Sequence, residues 1–265
     1  MKFSIVNGQR QEAQPRLSGK CPVCAQAVIA KCGEVNIWHW AHKGRCVSDP
    51  WWENETEWHR AWKGEFPASW QEIVHHADSG EKHIADVKTD HGWVIEFQHS
   101  PIRPEERRSR DAFYPKLAWV VNGMRRKRDS EKFHHALIDA MHDGSNAWMR
   151  IPFADECAIL RDWAGGNAPV FLDFGPRLQL WCILGGTPTG SVDVAPFSRS
   201  DLIEIFRGGA TQKWREFEDL VNSFRKRASR AEPQPLAQAS NRTDVQPASG
   251  VPQYRLPILS GRRRR

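Results

Sequence analysis

Two apolar runs separated by Asp90-His91-Gly92 constrain this chain more than any other stretch. Ile84 to Lys88 and Trp93 to Gln98 are rich in the β-branched and aromatic residues that favour strands. A three-residue hairpin loop commonly ends on a residue in the left-handed region, and Gly92 suits that place. This loop sets a register in which Thr89 faces Trp93 and Asp86 faces Glu96. Directly opposed side chains lie about 5 Å apart on one face of the sheet. Alternation puts Glu96 and Gln98 on one face of their strand, and Ile95 and Phe97 on the other. Two carboxylates that close repel unless protonated or bridged by a cation. A solvent-facing hairpin edge is the plainer account of one Asp and one Glu. The apolar flanks, Ile84-Ala85-Asp86-Val87 and Val94-Ile95-Glu96-Phe97, predict a placed pair instead. Mg²⁺ is the natural neutraliser for such oxygen ligands.

Upstream, Cys21-Pro22-Val23-Cys24 and His39-Trp40-Ala41-His42 give C-x₂-C followed by H-x₂-H, a zinc-type spacing. Cys21, Cys24 and His42 are the predicted ligands, with the fourth place open between His39 and Cys46. A reduced cysteine pair with histidines scattered nearby is the plain alternative. Five candidate donors between residues 21 and 46 argue against it. Such a site would stabilise a small module lacking its own core. Of the 6 cysteines, Cys21, Cys24, Cys32 and Cys46 cluster near the N-terminus while Cys157 and Cys182 are isolated, unlike the even spread of a disulfide scaffold. The first residues carry no long apolar run. Both features predict a reducing, cytoplasmic setting. No stretch approaches the roughly 20 apolar residues of a membrane helix.

The remaining pattern predicts alternating helices and strands. Residues 51–65 read as a helix capped by Asn54 or Thr56, with Trp58 and Trp62 one turn apart. Glu55, His59 and Lys63 would share its polar stripe. A strand is expected at 71–76, a helix at 105–114 carrying Arg107, Arg108 and Arg110, and a strand at 116–122. The basic loop MRRKRD follows, then a helix over 130–142 with Ser130 as cap and Phe133, Leu137, Ile138 and Met141 at core spacing. Further strands are expected at 170–174 and 179–184. Helices are expected at 201–207, closed by Gly208, and at 211–230. The expected organisation is a metal module over 1–50, an α/β core over 51–147 and a small α+β extension over 148–231. A basic tail rich in Pro, Gln, Ala and Ser, over 232–265, is expected to be disordered. The formal charge of +6 fits an anionic partner but is weak evidence alone.

The order CPVC, HWAH, ENETEWHRAWK, IADV, IEFQHS, AWVVNG resembles the competence protein CoiA-like family over roughly residues 20–125. The resemblance implies a PD-(D/E)XK-type core, a mixed sheet flanked by helices, and a Mg²⁺-dependent phosphodiesterase site acting on DNA. It implies metal-binding roles for Asp86 and Glu96. Gln98 stands where many relatives of the superfold carry lysine. Glu55 matches the helix glutamate, although Glu57, just before Trp58 and His59, is its rival. Arg110 and Tyr114 match a later Arg/Tyr pair. Lys63, Arg107 and Arg110 are expected to meet backbone phosphates. DNA-uptake or recombination proteins are the partners such a role implies. Two other readings stay open. One is a DNA-binding factor that cleaves weakly or not at all, suggested by the absent lysine; the other is an RNA-directed nuclease.

Overall fold

The computed structural model describes residues 1–44, 55–76, 80, 82–142, 148–187, 190–208 and 211–231. Its first sheet is wholly N-terminal. It contains β1 (Phe3–Val6), β2 (Gln9–Glu12), β3 (Ser18–Lys20), β4 (Ala27–Lys31) and β5 (His39–His42), in the order β2-β1-β3-β4-β5. All neighbours in it are antiparallel. Trp40, Val28 and Cys21 fill its small core.

The second sheet has nine strands among the described residues. They are β6 (Gln71–His76), β7 (Lys82–Lys88), β8 (Val94–Gln98), β9 (Leu117–Asn122), β10 (Met141–His142), β11 (Met149–Ile151), β12 (Val170–Asp173), β13 (Leu180–Ile183) and β14 (Val192–Phe197). The spatial order is β10-β11-β14-β13-β12-β9-β8-β7-β6. Its centre, β8-β9-β12, is parallel, and the pairs outside that centre are antiparallel. Strands of a parallel centre are covered on both faces and so read as continuous apolar runs. Every residue of Leu117-Ala118-Trp119-Val120-Val121-Asn122 is buried.

Among the described residues six helices flank this sheet: α1 (Glu57–Gly64), α2 (Pro104–Phe113), α3 (Asp129–Ile138), α4 (Ala158–Trp163), α5 (Arg199–Arg207) and α6 (Thr211–Ala231). Strand parity sorts the core into two layers. Leu117, Trp119 and Val121 meet Phe133 of α3 and Leu160 and Trp163 of α4. Ala118 and Val120 lie in the opposite layer with Trp62 of α1, Phe206 of α5 and Phe217 of α6. The architecture is therefore mixed α/β, with helices on both faces of a large mixed sheet.

Several boundaries differ from the sequence pattern. Residues 148–231 do not form a sheet of their own: β12 pairs with β9 in parallel, and β11, β13 and β14 complete the same sheet. Met1–Ala231 forms one compact unit. Helix α3 stops at Ile138, which is 77% exposed, and the chain turns so that Met141 pairs in β10 rather than extending an apolar helix face. Arg128, not Ser130, is the α3 N-cap. Thr56 caps α1 through a reciprocal box with His59. Asn54, Cys46 and the 232–265 tail lie outside the described residues.

Candidate metal and acid sites

The turn after β3 brings Cys21 and Cys24 together. The Ala25 amide donates to the Cys21 carbonyl at 2.9 Å, and the Val23 amide donates to Cys21 Sγ at 3.4 Å. His42, at the end of β5, places Nε2 3.3 Å from Cys24 Sγ. The ligand atoms of Cys21, Cys24 and His42 all lie within 4.8 Å of one another, the one such group of three among the described residues. Burial outweighs the hydrogen bonds from the Cys24 and Val23 backbones and pushes the Cys21 thiol up to about 11, so metal binding there would displace a proton.

His39 does not join the group. In a strand, residues three apart point to opposite faces. β5 is a strand through both histidines, so His39 faces away from His42, its Nδ1 2.9 Å from the Ile37 carbonyl. H-x₂-H converges on one ion in a turn or helix, not here. A purified preparation is expected to hold about one zinc per chain. Cys21→Ser should lose the zinc and His39→Ala should keep it. Equal loss from both variants would restore His39 as a ligand.

The second site forms where β7 and β8 part. The hairpin register is as counted: Val87 pairs with Ile95, Lys88 with Val94, and Gly92 sits at φ 79°. Beyond Val87, however, the Asp86 carboxylate replaces the ladder, accepting the Phe97 amide at 3.0 Å. Glu96 lies on the neighbouring strand, buried, and accepts Arg110 Nη1 at 3.2 Å. Arg110 also meets Glu106 at 2.5 Å. Burial opposes its charge, but Glu96, Glu106 and Asp86 outweigh burial and hold the guanidinium above its usual value. Neither acid faces the other bare. Each already has a donor.

Lys63 is the hub on the α1 side. Its Nζ lies 2.6 Å from Glu55, 2.9 Å from Glu72 and 3.8 Å from Asp86. Burial would lower its pKa, but Glu72, Asp86 and Glu55 outweigh burial and raise it. Arg60 holds the other Glu55 oxygen at 2.8 Å. Glu57 is exposed, so Glu55 is the acid that points inward.

Glu72 is the residue that the sequence pattern conceals. It sits in β6 at φ 47°, a left-handed conformation uncommon outside glycine. Its carboxylate accepts the Lys2 amide at 2.6 Å and the Phe3 amide at 3.0 Å, tying β1 to the large sheet. Burial favours its neutral form, but Lys63, the N-terminal ammonium and the Lys2 amide prevail and bring it down to about 2. An acid among apolar neighbours in Gln71-Glu72-Ile73-Val74 was the available signal.

The three expected phosphate contacts are buried instead. Lys63 is enclosed by carboxylates. Arg107 packs over the Trp163 ring and donates to the Asp162 carbonyl at 2.9 Å, joining α2 to α4. Arg110 serves Glu96 and Glu106. Both α2 arginines lie on the helix face turned to the sheet, whereas Arg108 points to solvent beside Glu105. Gln98 is also buried, its amide donating to the Ser100 carbonyl at 2.9 Å. Tyr114 is buried against Phe113 and His75.

A small β module with a Cys₂His cluster, followed by a helix-flanked mixed sheet with an acid cluster, defines the class of the protein. Residues 9–48 match the family model described as Competence protein CoiA, N-terminal domain. That segment contains Cys21, Cys24, His39 and His42, so the part of the chain that is similar to the CoiA N-terminal domain is the part that carries the Cys₂His cluster. No curated protein and no solved structure matches the chain. Among the described residues no helix is long and apolar enough to cross a membrane.

Proposed function

We propose that the chain is a Mg²⁺-dependent nuclease that hydrolyses DNA phosphodiester bonds, built on a PD-(D/E)XK-like core. The family description suggests a competence-related role, in which DNA and recombination or uptake proteins would be its partners. One observation carries the reading. At the fork of β7 and β8, Asp86 and Glu96 stand on adjacent strands, and Glu55 and Glu72 join Asp86 around Lys63. Carboxylates gathered in this way offer the oxygen donors that a divalent cation such as Mg²⁺ takes.

Asp86 and Glu96 are the residues that would hold Mg²⁺. The Asp86 side chain is 24% exposed, the most open of the acids around Lys63. When bound, the ion lowers the pKa of a water and neutralises charge on the phosphate. Lys63 helps hold Glu55 and Glu72 below the usual carboxylate range against burial, and its ammonium lies 3.8 Å from Asp86. Arg110 orients Glu96. Gln98 has neither a charge nor a basic group, so its part is hydrogen-bonded positioning. The zinc module is structural, joined to the core through Glu72.

Incubation with single- and double-stranded DNA, and with RNA, in Mg²⁺ or EDTA tests the reading. Cleavage of DNA is expected in Mg²⁺, with loss in EDTA and at least about 100-fold loss in Asp86→Ala. Unchanged cleavage by Asp86→Ala would remove Asp86 from the site. A second reading, a nucleic-acid-binding factor without cleavage, is favoured by Arg110 on Glu96 and by the Gln98 amide turned onto Ser100. Binding with no cleavage in any Mg²⁺ condition would select it.

A further inference from the structure

The nuclease reading leaves open which surface meets the polyanion, because the arginines expected to do so are buried. We infer that the contact surface is the rim formed by three loops at the C-terminal ends of β8, β9 and β12. Its ligand is the phosphodiester backbone of a nucleic acid, and the inference rests on the nuclease reading for that choice of polyanion.

The topology brings the loops together. β8, β9 and β12 are adjacent and parallel, with Gln98 beside Val121 and Asn122 beside Asp173. Residues 99–103, 123–128 and 174–179 therefore leave the sheet at one end. Crevices outside the carboxyl ends of parallel strands are where open α/β sheets bind ligands. Here Glu96 lies only two residues inside that end, about 7 Å along the strand.

The loops are also tied to each other. The Ser100 carbonyl accepts both the Gln98 amide at 2.9 Å and Arg125 Nη1 at 3.0 Å. The Gly123 amide donates to the Asp173 carbonyl at 2.8 Å. A Cβ on Gly123 would collide with the Phe174 ring, so glycine there lets the second and third loops touch. The rim is thus a joined surface linked through Gln98 to the acid-bearing strand.

Its charge is positive and available. Arg125 and Arg126 share Asp129 and Asp162. Arg103, Lys127, Arg128 and Arg177 are exposed, from all three loops. Among the described residues, none of these four has an ion-pair partner. A cationic rim beside an anionic, metal-binding interior would hold a phosphate backbone while leaving the scissile bond to the acids.

Binding of fluorescently labelled single- and double-stranded DNA, measured by anisotropy in EDTA from 50 to 200 mM salt, tests the rim. Lys127→Glu/Arg128→Glu/Arg177→Glu should bind about tenfold or more weakly, with a salt slope shallower by about two to three. These side chains are exposed, so its thermal melt should match that of wild type. Unchanged affinity and slope in the triple variant overturn the rim, as does a wild-type protein that binds no DNA. Absent cleavage with rim-dependent binding would sink the nuclease reading and leave the rim standing. Binding only to anionic lipid vesicles, run as a parallel arm, would assign the surface to a membrane instead and overturn the proposal.

Discussion

Lys63→Met is expected to destabilise the protein by roughly 3–5 kcal/mol at pH 7, because it leaves buried carboxylates without their shared cation. That loss corresponds to a melting temperature lower by about 10 °C for a chain of this size. The lysine side chain is 3% exposed and contacts Glu55, Glu72 and Asp86 together. Methionine keeps most of the stem packing and removes the charge, so the variant isolates electrostatics. The sign of the pH dependence follows from Glu72. Its folded pKa of about 2 lies below its ordinary 4.5. A depressed acid contributes stability that is complete above the ordinary value and is lost as pH falls from about 4.5 toward about 2. Without Lys63, the carboxyl rises and takes up a proton sooner. The gap between wild type and Lys63→Met should therefore be widest at neutral pH and narrow toward pH 4. Urea midpoints at pH 7 and pH 4 measure it. An equal gap at both would mean that Lys63 acts through its hydrocarbon stem alone.

Local periodicity made much of this molecule legible. The period-two runs around Asp90-His91-Gly92 specify β7, β8 and their register, because turn geometry and alternation are properties of neighbouring residues. Helix α5 ends at Gly208 in the left-handed conformation, as its position after Arg207 signals. Helix α6 buries Phe217 and Val221, as its apolar stripe requires. The strand at Val192–Phe197 is not signalled locally because Asp193 and Pro196 break its apolar pattern, yet residues 194–197 pair along β13 and residues 192–194 pair along β11. The acid site was legible only in part. Asp86 and Glu96 stand out within short apolar runs. Their actual partners, the Phe97 amide and Arg110, depend on how the strands part and how α2 docks. Glu72 and Asp173 are harder still, since each is a lone acid in a strand. Their meaning comes from groups about 70 to 115 positions away in the chain. H-x₂-H misled for the opposite reason: the spacing is informative only once the backbone conformation is known.

Asp173→Ala should be nearly as damaging as the loss of Lys63, with a melting temperature lower by about 10 °C. Asp173 ends β12 with its side chain 2% exposed. One oxygen accepts both indole N–H groups of α1, Trp58 at 2.9 Å and Trp62 at 2.8 Å. The other accepts Arg199 at 2.7 Å and the Gly175 amide at 2.9 Å. Burial opposes the ionised form, but these donors outweigh it and hold the carboxyl below its usual range. Alanine would leave the fully buried Trp62 indole and a partly buried guanidinium without their acceptor. The consequence reaches the acid site, because Trp62 immediately precedes Lys63. A helix no longer pinned at its indoles releases the ammonium that faces Asp86. A double-mutant cycle with Trp58→Phe separates this account from simple loss of packing. In wild type, deleting that indole N–H should cost about 1 kcal/mol or more. In Asp173→Ala the same substitution should cost about 1 kcal/mol less, since only the packing part of the indole is left to lose. Equal costs in both backgrounds would show that the two residues stabilise the chain independently. In that case Asp173 would not be what seats α1 on the sheet.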